Sequence, residues 1–223
     1  MNLLKKVFQF PAPFLKTFSP VWFVALIVLA GADLASKKIA TDNLRFYLSF
    51  SQKMKAGLTS NSFPKYAERP KVDILGPEGK YIKFRLVFND RFAFSLGPAN
   101  SLVSFFVSLF ALFLLILYRA HNPTLGHGAA WLLVFSGAIG NLIDKLFVKS
   151  LTTGEWVFSL FPKKGHVGGV VDFIECIWFG IHSLKNTAVL NILSWDTWPT
   201  FNLADSMVSV GIVLLILTMK FEK

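Results

Sequence analysis

The chain has 223 residues, of which 53% are hydrophobic and 24 are phenylalanine, while charged residues make up 16%, against roughly 25% in soluble domains. Its formal net charge of +10 comes with no basic helix or aromatic-basic module, which sets nucleic acid aside as a partner and leaves anionic lipid headgroups as the simpler attraction. The single cysteine, Cys176, excludes an intrachain disulfide and a cysteine-based metal cage, and the four histidines, at 121, 127, 166 and 182, show no ligand spacing. Neither metal nor cofactor is expected.

Four apolar stretches are expected as membrane-spanning helices, each near the ~20 residues a bilayer requires. They run about 21–40, 101–118, 128–148 and 203–219, within a single domain over 1–223. The first ends its apolar run at Ala30-Gly31-Ala32, which mimics a leader cleavage site. The preceding twenty residues hold prolines 11, 13 and 20, and the helix continues past the motif to Lys37, so a retained anchor is expected. The second span is free of charge. The other three carry Asp33, Asp144 and Asp205 inside apolar sequence. A carboxylate in a bilayer is costly, so such residues face a bundle interior and mark function.

The connection over 41–97 is expected outside the membrane. In it Ile82, Phe84, Leu86 and Phe88 alternate with Lys83 and Arg85, the period-two pattern of a strand. Either a ribbon lying on the lipid surface or a hairpin in a small sheet fits that pattern. The stretch from Lys53 to Pro77, with prolines 64, 70 and 77, is expected as a flexible insert. The connection over 150–200 holds Trp156, Trp178, Trp195 and Trp198, residues suited to a membrane–water interface. Charge does not orient the chain: Lys5, Lys6, Lys16, Arg119, Lys220 and Lys223 flank one side, but ten Lys and Arg lie between Arg45 and Arg91 on the other.

Asp33 and Lys37, four apart, share a helix face in the favourable acid-before-base order. They form either a structural ion pair or a substrate contact. Asn141 and Asp144 are three apart beside Gly137, Ala138 and Gly140, small residues that let a neighbouring helix approach closely. Asp144 reads best as glue between helices. Asn202 and Asp205, three apart, resemble an N-cap with an acid in the first turn, which would also hold the carboxylate at the membrane surface. Asp172 follows the apolar run Gly168-Gly169-Val170-Val171 and needs a partner, either Lys163 or Lys164 or another carboxylate. Two carboxylates held close in a low dielectric share a proton. The ionised one activates water and the protonated one polarises a carbonyl, with no metal or nucleophilic side chain.

These motifs resemble the boxes of the lipoprotein signal peptidase (signal peptidase II) family. Asp33-Leu34-Ala35-Ser36-Lys37 looks like its Asp-x-x-x-Lys box, and Asn89-Asp90-Arg91-Phe92-Ala93-Phe94 resembles its Asn-x-Gly-x-Ala-Phe box. Gly137-Ala138-Ile139-Gly140-Asn141, continuing to Asp144-Lys145, is similar to Gly-Ala-x-Gly-Asn-x-x-Asp-Arg. Val170-Val171-Asp172-Phe173-Ile174 and Phe201-Asn202-Leu203-Ala204-Asp205 are similar to the boxes holding the family's catalytic aspartates. Five boxes in order across four spans make the resemblance specific. It departs at Lys145, where the family has Arg, at Arg91, where it has Gly, and in longer connections.

The resemblance implies an all-α membrane protein: four transmembrane helices, a small extramembrane β-sheet (a cradle) and a periplasmic-side loop region. It implies a monomeric aspartic endopeptidase, multi-pass in the bacterial cytoplasmic (inner) membrane, with both termini cytoplasmic and the site near the outer leaflet. Its partners would be membrane lipids and diacylglyceryl-modified prolipoproteins, cut just before the lipid-bearing cysteine. Asp172 and Asp205 would be the catalytic pair. Asn89, Asn141, Lys145 and Asn202 would line or order the substrate pocket, and Asp33, Lys37 and Asp144 would support it. A proton-coupled carrier is the rival from another class, disfavoured by the lack of repeats and broken helices. An inactive lipoprotein-binding relative is disfavoured by retention of both aspartates.

Overall fold

The computed structural model describes residues 19–48, 50–59, 72–76, 81–90, 100–161, 163–177, 180, 181, 183, 185–187 and 194–218. The elements in chain order are α1 (Pro20–Leu44), a 3-10 turn (Arg45–Tyr47), α2 (Phe50–Lys55), β1 (Val72–Leu75), β2 (Ile82–Asn89), α3 (Ser101–His121) and α4 (Gly128–Asp144). After them come β3 (Phe147–Ser150), β4 (Trp156–Phe158), β5 (His166–Val167), β6 (Val170–Cys176) and α5 (Leu203–Thr218). The chain divides into two compact units, one of residues 1–35, 102–145 and 203–223, the other of 36–101 and 146–202. Helices therefore combine with small antiparallel sheets, a larger β content than an all-α description conveys.

The first unit is helical. Ser101–His121 is long and apolar enough to cross a membrane, and Gly128–Asp144 and Leu203–Thr218 are shorter apolar helices. Large side chains stand exposed on its surfaces: Val21, Phe23, Val24 and Ile27 on α1, Phe106, Phe110 and Phe113 on α3, and Val213, Ile216 and Leu217 on α5. Water would penalise so much apolar surface, whereas lipid tails do not. Helix α4 starts at His127, whose backbone is extended and whose side chain accepts the Ala129 N–H. It ends at Asp144, short of the expected 148, because Phe147 and Val148 enter a strand.

Glycines set the packing of α4 on α5. A Cβ on Gly137 would run into the backbone carbonyl of Ala204 and lie 2.8 Å from Val208, and one on Gly211 would lie 2.7 Å from Val134. The expected close approach is observed at Gly137. At Gly140 the neighbour is different, since a Cβ there would stand 2.6 Å from Oδ2 of Asp33.

The second unit holds two three-stranded sheets, ordered β1-β2-β6 and β4-β3-β5. Strand β2 is central in the first and antiparallel to both neighbours. Its apolar side packs inward: Leu86 and Phe88 join Leu44, Leu48, Leu151, Val171 and Phe173 in one core, each buried large side chain contributing about 1.5–3 kcal/mol. The alternating pattern forms a strand, the middle one of a three-stranded sheet. In the stretch from Lys53 to Pro77 expected as an insert, Lys53–Lys55 belong to α2 and Val72–Leu75 to β1; residues 60–71 and Pro77 lie outside those described, as do Arg91, Phe92 and Trp178.

Candidate active site

In the second unit, Asp172 sits on β6, where β-branched Val170, Val171 and Ile174 favour a strand. Its side chain is buried, and Oδ1 accepts a hydrogen bond from Nδ2 of Asn202 at 2.7 Å. That amide also reaches the carbonyl of Val171 at 3.3 Å, and Asn202 itself is fully buried. Phe201 fixes the approach, because its carbonyl accepts from the backbone of Phe173 and Ile174 and its N–H donates to Ile174. Asp172 thus has Asn202 as a partner. Asn89 ends β2 opposite Val170, two residues before Asp172. Lys37 is fully buried on α1, one turn before Thr41, whose hydroxyl donates to the Lys37 carbonyl at 2.8 Å.

In the first unit, Asp205 occupies the first turn of α5, where the helix dipole favours a negative charge. Nδ2 of Asn141 donates to its Oδ1 at 2.9 Å. The expected bond across the helix contact is therefore made by Asn141, and it is made to Asp205. Asp33 plays a part that sequence spacing gave to Asn202: its Oδ1 accepts the backbone N–H of Ala204 at 2.8 Å, satisfying one of the orphan amides at the start of α5. Asp33 and Asp144 are both fully buried. Lys145 closes α4, and its ammonium donates to Oγ of Ser104 at 2.8 Å and Oγ of Ser108 at 2.6 Å.

Each unit therefore presents one aspartate whose carboxylate is oriented by an asparagine amide. Such a donor fixes the plane of the carboxylate and strengthens with its charge. Asn202 and Asp205 stand three residues apart in the chain.

The sequence profile of the signal peptidase (SPase) II family matches residues 24–221. The chain belongs to that family. A lipoprotein signal peptidase of Leptospira biflexa serovar Patoc is 40% identical over 147 residues, covering 65% of this chain and 73% of the relative. One of Borrelia duttonii is 31% identical over 150 residues, covering 65% and 71%. The fold is similar to a solved bacterial membrane enzyme, with a TM-score of 0.50 at 17% identity over 90% of this chain and 87% of that one. Membership of that family makes the chain a lipoprotein signal peptidase.

Sequence reasoning missed Ser104, Ser108 and Lys149. The serines carried a signal: they are spaced by four in a helix otherwise apolar from Leu102 to Leu117, which aligns both hydroxyls on one face. Fully buried Lys149 carried none, because a lysine next to valine in a short strand normally points to solvent.

Proposed function

We propose that the chain is an aspartic endopeptidase that removes signal peptides from diacylglyceryl-modified prolipoproteins, cutting before the lipid-bearing cysteine, with Asp172 and Asp205 as its pair. The observation that carries this reading is that each of the two carboxylates accepts a hydrogen bond from an asparagine amide: Asn202 donates to Asp172 and Asn141 donates to Asp205. Both aspartates fall in boxes similar to the family's catalytic ones.

The ionised aspartate takes a proton from water as the oxygen attacks the scissile carbonyl carbon. The protonated partner gives a hydrogen bond, then its proton, to the carbonyl oxygen, and the tetrahedral intermediate forms without metal or covalent enzyme adduct. Collapse breaks the C–N bond, the leaving amine takes a proton, and the new carboxyl group stays on the signal peptide.

In this reading Asn89, Asn141, Lys145 and Asn202 line or order the substrate pocket, while Asp33, Lys37 and Asp144 support it. On the same reading four spans put both termini on one side of the inner membrane of a bacterial cell, and the family resemblance makes that side the cytoplasm, with the site near the outer leaflet. The exposed apolar faces of α1, α3 and α5 support residence in lipid, and the enzyme works as a monomer with the diacylglyceryl chains seated between the helices. The test compares a prolipoprotein with and without its diacylglyceryl group in one detergent. Cleavage of the lipidated form alone is expected; equal cleavage of both would remove lipid from the recognition.

A further inference from the structure

We propose that Lys149 is a positioning residue, through which the β3-β4-β5 sheet sets the start of the strand that carries Asp172. The proposal rests on the reading of Asp172 as catalytic.

Lys149 lies in β3 and is fully buried. Enclosing an ammonium is unfavourable unless its donors are taken up, and an apolar residue of similar volume is often tolerated better at such a place. A lysine here therefore calls for a specific task. Its Nζ donates to the backbone carbonyl of Gly169 at 2.6 Å and stands 5.0 Å from the centre of the Trp156 ring, within the range where an aromatic face attracts a cation. Trp156 is its registered neighbour on β4, and Val167 is its neighbour on β5.

Gly169 belongs to the two-residue link between β5 and β6, three residues before Asp172. Its φ of +97° is open to glycine and strained for other residues. On its other side it lies against the end of β2: a Cβ there would come within 2.5 Å of the Asn89 carbonyl oxygen and 2.8 Å of the Asp90 nitrogen. The link is thus held from two directions, by the Lys149 ammonium on its carbonyl and by the Asn89–Asp90 backbone against its Cα. The next residue, Val170, enters the ladder opposite Asn89. A shift of the link would move the register or tilt with which β6 starts, and the Asp172 carboxylate with it. Since the cost of a misplaced reacting group falls on the chemical step, the consequence belongs in kcat.

The experiment measures kcat and KM for cleavage of a lipidated precursor by the purified full chain, with thermal stability recorded on the same samples. Lys149→Met keeps the volume and removes the donor. A kcat about 10- to 100-fold lower is expected, as for loss of a hydrogen bond from a charged donor, with KM and thermal midpoint little changed. Gly169→Ala, whose Cβ would meet the Asn89–Asp90 backbone at a φ of +97°, should lower kcat as well but with a lowered thermal midpoint. The double variant should be far less impaired in kcat than the product of the two, because both act on one turn.

A Lys149→Met enzyme with unchanged kcat, or with its defect confined to KM, would overturn the proposal. Should Lys149→Met not accumulate, Lys149→Leu, which also removes the donor, carries the same measurement. Failure of both to accumulate would make Lys149 a folding residue and overturn the role. Asp172→Asn is run in parallel: if it remains active, the catalytic reading falls and this role with it. If it is dead while Lys149→Met is fully active, only this role falls.

Discussion

The carboxylate of Asp33 accepts the backbone N–H of Ala204 at 2.8 Å, joining residues 171 positions apart. The first helix thereby caps the last one, at the residue next to Asp205. Asp33→Ala should lose about 0.5–2 kcal/mol, the usual worth of such a cap, together with most of the activity, because the start of α5 also aims Asp205. Asp33→Asn keeps an acceptor oxygen and should retain more of both. Thermal melting and cleavage rate measured together check this; equal loss in the two variants would mean that the charge of Asp33 matters more than its capping.

Gly137 lies against the Ala204 backbone and Val208. Since that neighbour is largely backbone, it cannot rotate away, and Gly137→Ala should destabilise the protein by about 1–3 kcal/mol through overpacking. Gly31, which meets nothing within 4 Å, provides the control: Gly31→Ala should leave the melting temperature unchanged or slightly raised, as alanine favours a helix.

Lys145 donates to two serine hydroxyls on α3. Ser108→Ala should cost about 1.5–3 kcal/mol if the bond behaves like others to charged groups. Lys145→Arg replaces a compact ammonium with a planar fork of five donors beside Ser104, which is only 1% exposed. The guanidinium is expected to crowd that serine and to lower stability, although arginine is the residue of the resembled family box. Pairing Lys145→Arg with Ser104→Gly should recover part of the loss in a melting assay.

Burial, with the neighbouring Glu175 charge adding to it, pushes the Cys176 thiol above its ordinary range. A raised value means less thiolate at any given pH, so alkylation of Cys176 in the folded protein should be slower than that of a small free thiol at pH 8 and should accelerate only as pH rises further. Cys176→Ser should cleave precursor normally. Rapid labelling at neutral pH would contradict the description of this side chain.

Much of this arrangement was legible in residue order. Long apolar runs gave α1, α3, α4 and α5, and the alternation from Ile82 to Phe88 gave β2, because both periodicities follow directly from which faces meet a core or lipid. Spacing also brought out Asp33, Asn141, Asp172, Asn202 and Asp205 as a polar set inside apolar sequence. What spacing could not give was pairing. Asn202 looked like a cap for its own helix, yet its amide goes to Asp172 and the Ala204 amide goes to Asp33. Those choices depend on which segments pack together, 30 residues apart in the first case and 171 in the second. The strands β4 and β5 were read only as part of an interfacial connection and the start of β3 as the end of the third span, since elements of two to four residues carry too few positions for a period to show.

The central claim is that the carboxyl groups of Asp172 and Asp205 act together on water. The most direct measurement is cleavage of a diacylglyceryl-modified prolipoprotein by Asp172→Asn and Asp205→Asn, each purified with its fold verified by melting. Asparagine keeps shape and some hydrogen bonding but cannot accept or deliver the proton, so each variant should lose activity by about a thousandfold or more, and the double variant little beyond that, as expected for groups acting as a unit. Either single variant processing the precursor at the parent rate would contradict the account.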